Sequence, residues 1–61
     1  GLELSAIVWS PEPEQRCAVI NNMILHQNDT VYGYKIMLIE QTQVKLQKNG
    51  QYYLLKIKTS G

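Results

Sequence analysis

Alternating apolar and polar positions run on either side of two asparagine-centred dipeptides, Asn21-Asn22 and Asn49-Gly50. Such dipeptides favour two-residue type I′ turns, because both central residues take positive φ and Asn and Gly tolerate it best. A turn at Asn49-Gly50 sets Lys48 opposite Gln51, Gln47 opposite Tyr52, Leu46 opposite Tyr53, Lys45 opposite Leu54 and Val44 opposite Leu55. Val44, Leu46, Tyr53 and Leu55 then face inward. A turn at Asn21-Asn22 pairs Ile20 with Met23, Val19 with Ile24, Ala18 with Leu25 and Cys17 with His26, with Ala18, Ile20, Met23 and Leu25 as the core face. A slip of one residue would turn each of these sets to the wrong side, so turn chemistry and alternation support one another.

The remaining segments follow the same logic. Leu2 to Trp9 reads as a first strand, with Leu4, Ala6 and Val8 on one face and Ile7 and Trp9 on the other. The prolines of Ser10-Pro11-Glu12-Pro13 cannot donate to a ladder, so Ser10 to Gln15 is predicted to be an exposed loop. Strands are expected from Arg16 to Ile20 and Met23 to Leu25, then a polar turn from His26 to Thr30. In that turn Asn28 takes a left-handed conformation and Asp29 bonds nearby backbone. Val31 to Gly33 leads into a strand over Tyr34 to Glu40, with Gly33 marking a bend or bulge. Gln41-Thr42 turns into the final strands, Gln43 to Lys48 and Gln51 to Lys58, and Thr59, Ser60 and Gly61 form a frayed end. No helical period is sustained. The fold expected is an all-β single domain over residues 1–61: a small six-strand antiparallel meander closing into a compact barrel or two packed sheets.

Sixty-one residues bury a thin core, and a formal net charge of +1 with 18% charged residues argues against disorder or a basic nucleic-acid arm. Cys17 is the lone cysteine, so neither an intrachain disulfide nor a cysteine-built metal site is expected. The sequence has no long apolar run of the kind that spans a membrane and no signal-peptide pattern. Its start at Gly1 reads as a fragment of a longer protein.

The order Ile7-Val8-Trp9-Ser10 with a proline loop, then Arg16, Ala18-Val19-Ile20-Asn21, Asn28-Asp29-Thr30-Val31, Gly33, Lys35-Ile36, Val44-Lys45-Leu46, Asn49-Gly50 and Tyr53-Leu54-Leu55 resembles a known family. It looks like the C-terminal periplasmic domain of type II secretion system component B, also called general secretion pathway protein B. It is similar as well to the homology region of component C and to the type IV pilus lipoprotein. Asn28-Asp29 stands where the family usually has Gly-Asp, and Asn keeps the left-handed conformation accessible. The resemblance implies a non-catalytic periplasmic domain of a protein anchored in the inner membrane, which engages the outer-membrane secretin during protein transport.

Candidate chemistry points the same way. Cys17 and His26 fall opposite each other, but no orienting group or oxyanion donors are evident beside them. A half-buried structural cysteine is the simpler reading. Glu12 and Glu14 on the proline loop read as a solvated patch, and Asn28-Asp29-Thr30 as a polar turn and not a glycosylation acceptor. No catalytic, cofactor or metal residue is predicted.

Binding is the stronger expectation. Ile7, Trp9, Val19 and Ile24 lie opposite the assigned core faces, where either a barrel covers them or a partner does. The first strand is expected to be a free edge for β-augmentation, with Ser5, Ala6, Ile7, Val8 and Trp9 taking a partner strand and Arg16 meeting a partner carboxylate. Secretin periplasmic domains or other secretion components are the expected partners. Two alternatives use other chemistry: nucleic acid on Lys45, Tyr52 and Lys56, with Lys48 and Lys58 nearby, or homo-oligomerisation through the same first-strand edge.

Overall fold

A computed structural model describes residues 1–57. The chain is all-β, with strands β1 (Leu4–Val8), β2 (Cys17–Ile20), β3 (Met23–His26), β4 (Thr30–Val31), β5 (Tyr34–Ile39), β6 (Gln43–Lys48) and β7 (Gln51–Lys56). They form two antiparallel sheets, ordered β1-β2-β3 and β4-β5-β6-β7. The sheets pack on each other without closing into a barrel. A parallel bridge between Leu4 and Ile57 joins them at one corner. Across the other side, the Asn28 N–H donates to the Ile36 carbonyl at 2.7 Å and the Ile39 N–H to the Gln27 side chain at 2.9 Å.

Both asparagine turns are present. Asn21, Asn22, Asn49 and Gly50 all take positive φ, and the pairings on either side are those the turns dictate. Asn28 is left-handed as well, at φ 76°, and the Asp29 carboxylate accepts the His26 backbone N–H at 2.8 Å.

The expected strand count needs correction. Tyr32-Gly33, at φ 50° and 82°, makes a further two-residue turn that splits Val31 to Gly33 into β4 and a hairpin with β5. Gly33 is thus a turn residue, and the irregularity in β5 lies between Ile36 and Leu38. The proline loop contains a short 3-10 turn, Pro13–Gln15. Lys58 of the expected last strand, and the frayed end at Thr59, Ser60 and Gly61, lie outside the described residues.

Leu4, Ala18, Ile20, Ile36, Ile39, Val44 and Leu46 make the core, each almost fully buried. Met23 and Tyr53, expected inside, are 37% and 42% exposed. Both sit on edge strands, β3 and β7, where the inward face overhangs the rim of the sandwich. The first strand also departs from simple alternation. Its register shifts between Leu4 and Ala6, so Ser5 is the extra residue of a β-bulge. The bulge resets the faces: Leu4 and Ile7 point to the core, while Ala6 and Val8 point outward, Val8 being 58% exposed. Ile7 therefore belongs to the core side and not to the opposite face.

Candidate interaction surface

Cross-strand partners share a face, so the register defines the outer surface of the three-stranded sheet. One row is Ala6, Val19 and Ile24; the next is Val8, Cys17 and His26. These two rows carry no Lys, Arg, Asp or Glu, and the Asp29 carboxylate lies 3.7 Å from the His26 ring at their end. Ile24, 67% exposed, stands at their β3 side. The outer face of the four-stranded sheet is different, for Lys35, Lys45, Gln43, Gln47 and Lys56 occupy it with Tyr52 and Leu54. Among the described residues the smaller sheet has the less charged outer face, and β1 is one of its edges.

Turn geometry tells which main-chain groups of β1 are free. The residues flanking a two-residue turn form a hydrogen-bonded pair, and bonded and non-bonded pairs then alternate along the ladder. From Asn21-Asn22, Ile20 and Ala18 bond towards β3, leaving Val19 and Cys17 to bond Ala6 and Val8 of β1. The Asn21 N–H, donating to the Glu3 carbonyl at 2.9 Å, obeys the same parity. The Ile7 N–H and carbonyl therefore point away from β2, to the side on which Ile57 bridges Leu4. Ser5 contributes less than the sequence implies, because its hydroxyl donates to the Val19 carbonyl at 3.3 Å within the bulge.

Trp9 and Arg16 meet at the end of this strand. The guanidinium lies 4.7 Å from the centroid of the indole ring. Its Nε donates to the Ser10 carbonyl at 2.6 Å and a terminal nitrogen to the Ile39 carbonyl at 3.3 Å. Arg16 is thus half-buried and ties the proline loop to the end of β5, a role hidden in the sequence because Ile39 is remote from it. With Leu38, Glu40, Gln41 and Thr42, the pair lines an open groove beyond the end of β1. The structure puts Ala6 and Val8 on the outer face of the three-stranded sheet, brings Trp9 and Arg16 together beyond the end of β1 and keeps the Ile7 side chain within.

The other candidates hold no comparable site. Cys17 and His26 are cross-strand neighbours as expected, and the His26 ring lies 3.7 Å from the Asp29 carboxylate. That Asp29 oxygen already accepts the His26 backbone N–H. Among the described residues no cluster of His, Cys, Asp or Glu has metal-site geometry. The Lys45 ammonium rests 4.5 Å above the Tyr52 ring, covering the face a nucleobase would stack on. Glu12 accepts from the Gln15 amide at 3.1 Å within the 3-10 turn, and Glu14 is exposed. No helix among the described residues is long and apolar enough to cross a membrane.

Residues 1–57 match the model of the family described as Type II secretion system protein B. No curated protein and no solved structure matches the chain.

Proposed function

The chain belongs to the type II secretion system protein B family, and from that premise we propose that it is a periplasmic docking domain that receives a strand of another secretion component along β1. Membership in a secretion-apparatus family fits a non-enzymatic role in protein transport. The partner proposed is the N-terminal periplasmic region of the outer-membrane secretin. The rest of the protein would tether the domain to the inner membrane.

One observation carries this reading: β1 is an uncharged edge whose outward side chains, Ala6 and Val8, continue into the uncharged face of Val19, Cys17, Ile24 and His26. Edge strands of soluble domains are ordinarily guarded by charge, especially lysine. A strand added here would bond the free groups of Ile7 and lay its own side chains beside Ala6 and Val8. The groove of Trp9 and Arg16 would receive the segment that follows.

The test is a heteronuclear NMR titration of the labelled chain with purified N-terminal secretin domains. Strand addition shifts amides of Ser5 to Trp9 and of Arg16, and a proline at Ile7 abolishes the shifts, since it deletes the outward N–H. Shifts that spare β1, or binding that survives Ile7→Pro in a folded variant, would sink the proposal.

A further inference from the structure

The β4–β5 turn breaks the rule that the asparagine turns obey. Asn21-Asn22 and Asn49-Gly50 fill positive-φ positions with residues that tolerate them, whereas Tyr32 stands at φ 50° beside Gly33. A bulky side chain is strained in that conformation, and Tyr32 buries little to offset it, being 67% exposed. Its ring stands at the mouth of a groove. A strained residue that leaves its aromatic face in solvent there points to a ligand and not to the fold.

The groove runs between the segment before β1 and the Tyr34 end of β5. Asn21 holds the first wall in place, its side chain accepting the Glu3 N–H at 2.8 Å and donating to the Gly1 carbonyl at 3.2 Å. Tyr32, Tyr34 and Lys48 line the part beside that wall, and Leu2 and Tyr34 carry it on to Tyr53 and Leu55 over the buried Leu46. The Tyr34 and Tyr53 rings stand edge to face, with centroids 5.6 Å apart and planes at 81°. The Lys48 ammonium lies 4.7 Å from the Tyr34 centroid, and its stem passes so close to the turn that a Cβ at Gly33 would come within 3.4 Å of it. Among the described residues no Asp or Glu pairs with Lys48, and the Tyr32 and Tyr34 hydroxyls donate to no protein acceptor.

We propose that this groove binds a proline-rich acidic segment of another protein, in the polyproline II conformation, with a carboxylate of the segment on Lys48. Three features select that occupant. Aromatic-lined grooves are the surfaces on which proline-rich segments dock, because pyrrolidine rings pack on the ring faces and the ligand arrives already ordered. A polyproline II backbone makes no hydrogen bonds of its own, so its carbonyls accept from the Tyr32 and Tyr34 hydroxyls. Lys48 gives the groove a positive charge, and among the described residues no acidic side chain lines it. With about three residues per turn, every third side chain of the segment returns to one face, so an acid at that spacing meets Lys48 while prolines meet the rings. The Trp9 and Arg16 groove lies at the Ile39 end of β5, away from Tyr34, and this proposal does not rest on strand addition at β1.

The test is an NMR titration of the labelled chain with a blocked synthetic peptide of repeated Pro-Pro-Glu triplets, with Pro-Pro-Gln and Gly-Gly-Glu repeats as controls. The Pro-Pro-Glu peptide is expected to shift the amides of Tyr32, Gly33, Tyr34, Lys48 and Tyr53 and to leave those of Ser5 to Trp9 in place. Lys48→Met weakens it about fivefold, the scale of one half-exposed ion pair, and leaves the weaker binding of Pro-Pro-Gln unchanged. Tyr32→Gly weakens both proline peptides about tenfold through the lost ring. The same variant melts at an unchanged or higher temperature, because glycine relieves the strained turn. No saturable shift at the groove up to millimolar peptide, equal binding of Gly-Gly-Glu, or a Tyr32→Gly variant that melts lower overturns the proposal. So do shifts of the same residues that grow with protein concentration in the absence of peptide, which would make a second copy of the chain the occupant.

Discussion

Arg16 stacks over Trp9 at 4.7 Å while its guanidinium donates to the carbonyls of Ser10 and Ile39, so one side chain ties the proline loop to both sheets. A lysine keeps the charge but not the planar fork, and it stacks less well on an indole. Arg16→Lys is expected to lower unfolding stability by about 1–2 kcal/mol, the scale of a lost charge-assisted hydrogen bond with part of a cation–π contact. Urea denaturation followed by Trp9 fluorescence measures it. An unchanged midpoint would mean that the loop is held by its prolines alone.

The two turn asparagines are predicted to differ although both have positive φ. Asn21 accepts the Glu3 N–H on its side-chain oxygen at 2.8 Å and donates to the Gly1 carbonyl at 3.2 Å, which sews the segment before β1 to the β2–β3 turn. Among the described residues Asn22 makes no such contact. Glycine suits the φ of either position, so Asn22→Gly is expected to be near neutral, and Asn21→Gly to cost about 1 kcal/mol more through its lost side-chain bonds. Thermal melts of the two variants compare them directly.

Why the hairpins were legible and the faces only partly so is visible in the same residues. A two-residue Asn turn fixes pairing locally, and both registers follow from it, down to Cys17 opposite His26 and Val44 opposite Leu55. The Tyr32-Gly33 turn was hidden because Tyr rarely takes φ of 50° and the strand before it has two residues. The bulge at Ser5 has no local signature: it arises because β1 must meet β2 on one side and Ile57 on the other, and it moves Ile7 inward. Met23 and Tyr53 follow the inward alternation, but their exposure is decided by which strands end up at an edge. Val19 and Ile24 lie on the outer face that the alternation gives them, whereas Val8 is turned there by the bulge.

Core and outer face should respond very differently to the same truncation. Ile36 is fully buried between the sheets, while Ile24 is 67% exposed on the uncharged face. Ile36→Ala is expected to cost about 2–5 kcal/mol, which leaves little stability in a domain of this size. Ile24→Ala should stay within about 0.5 kcal/mol in the isolated chain, since surface changes away from special features cost little. Chemical denaturation of both variants checks the contrast; a large loss for Ile24→Ala would mean that this face is covered in the free protein.

Amide hydrogen exchange reads the two edges residue by residue. Parity directs the N–H groups of Ala6 and Val8 to β2 and those of Tyr53 and Leu55 to β6, whereas Ile7, Tyr52, Leu54 and Lys56 donate outward. In dilute solution the first set should exchange slowly and the second fast, because only a bonded amide must wait for local opening. Saturation with secretin domains should protect Ile7 without protecting Leu54. Slow exchange at Ile7 in the free, dilute chain would show the β1 edge to be already covered, and the docking strand would then have to be sought elsewhere on the molecule.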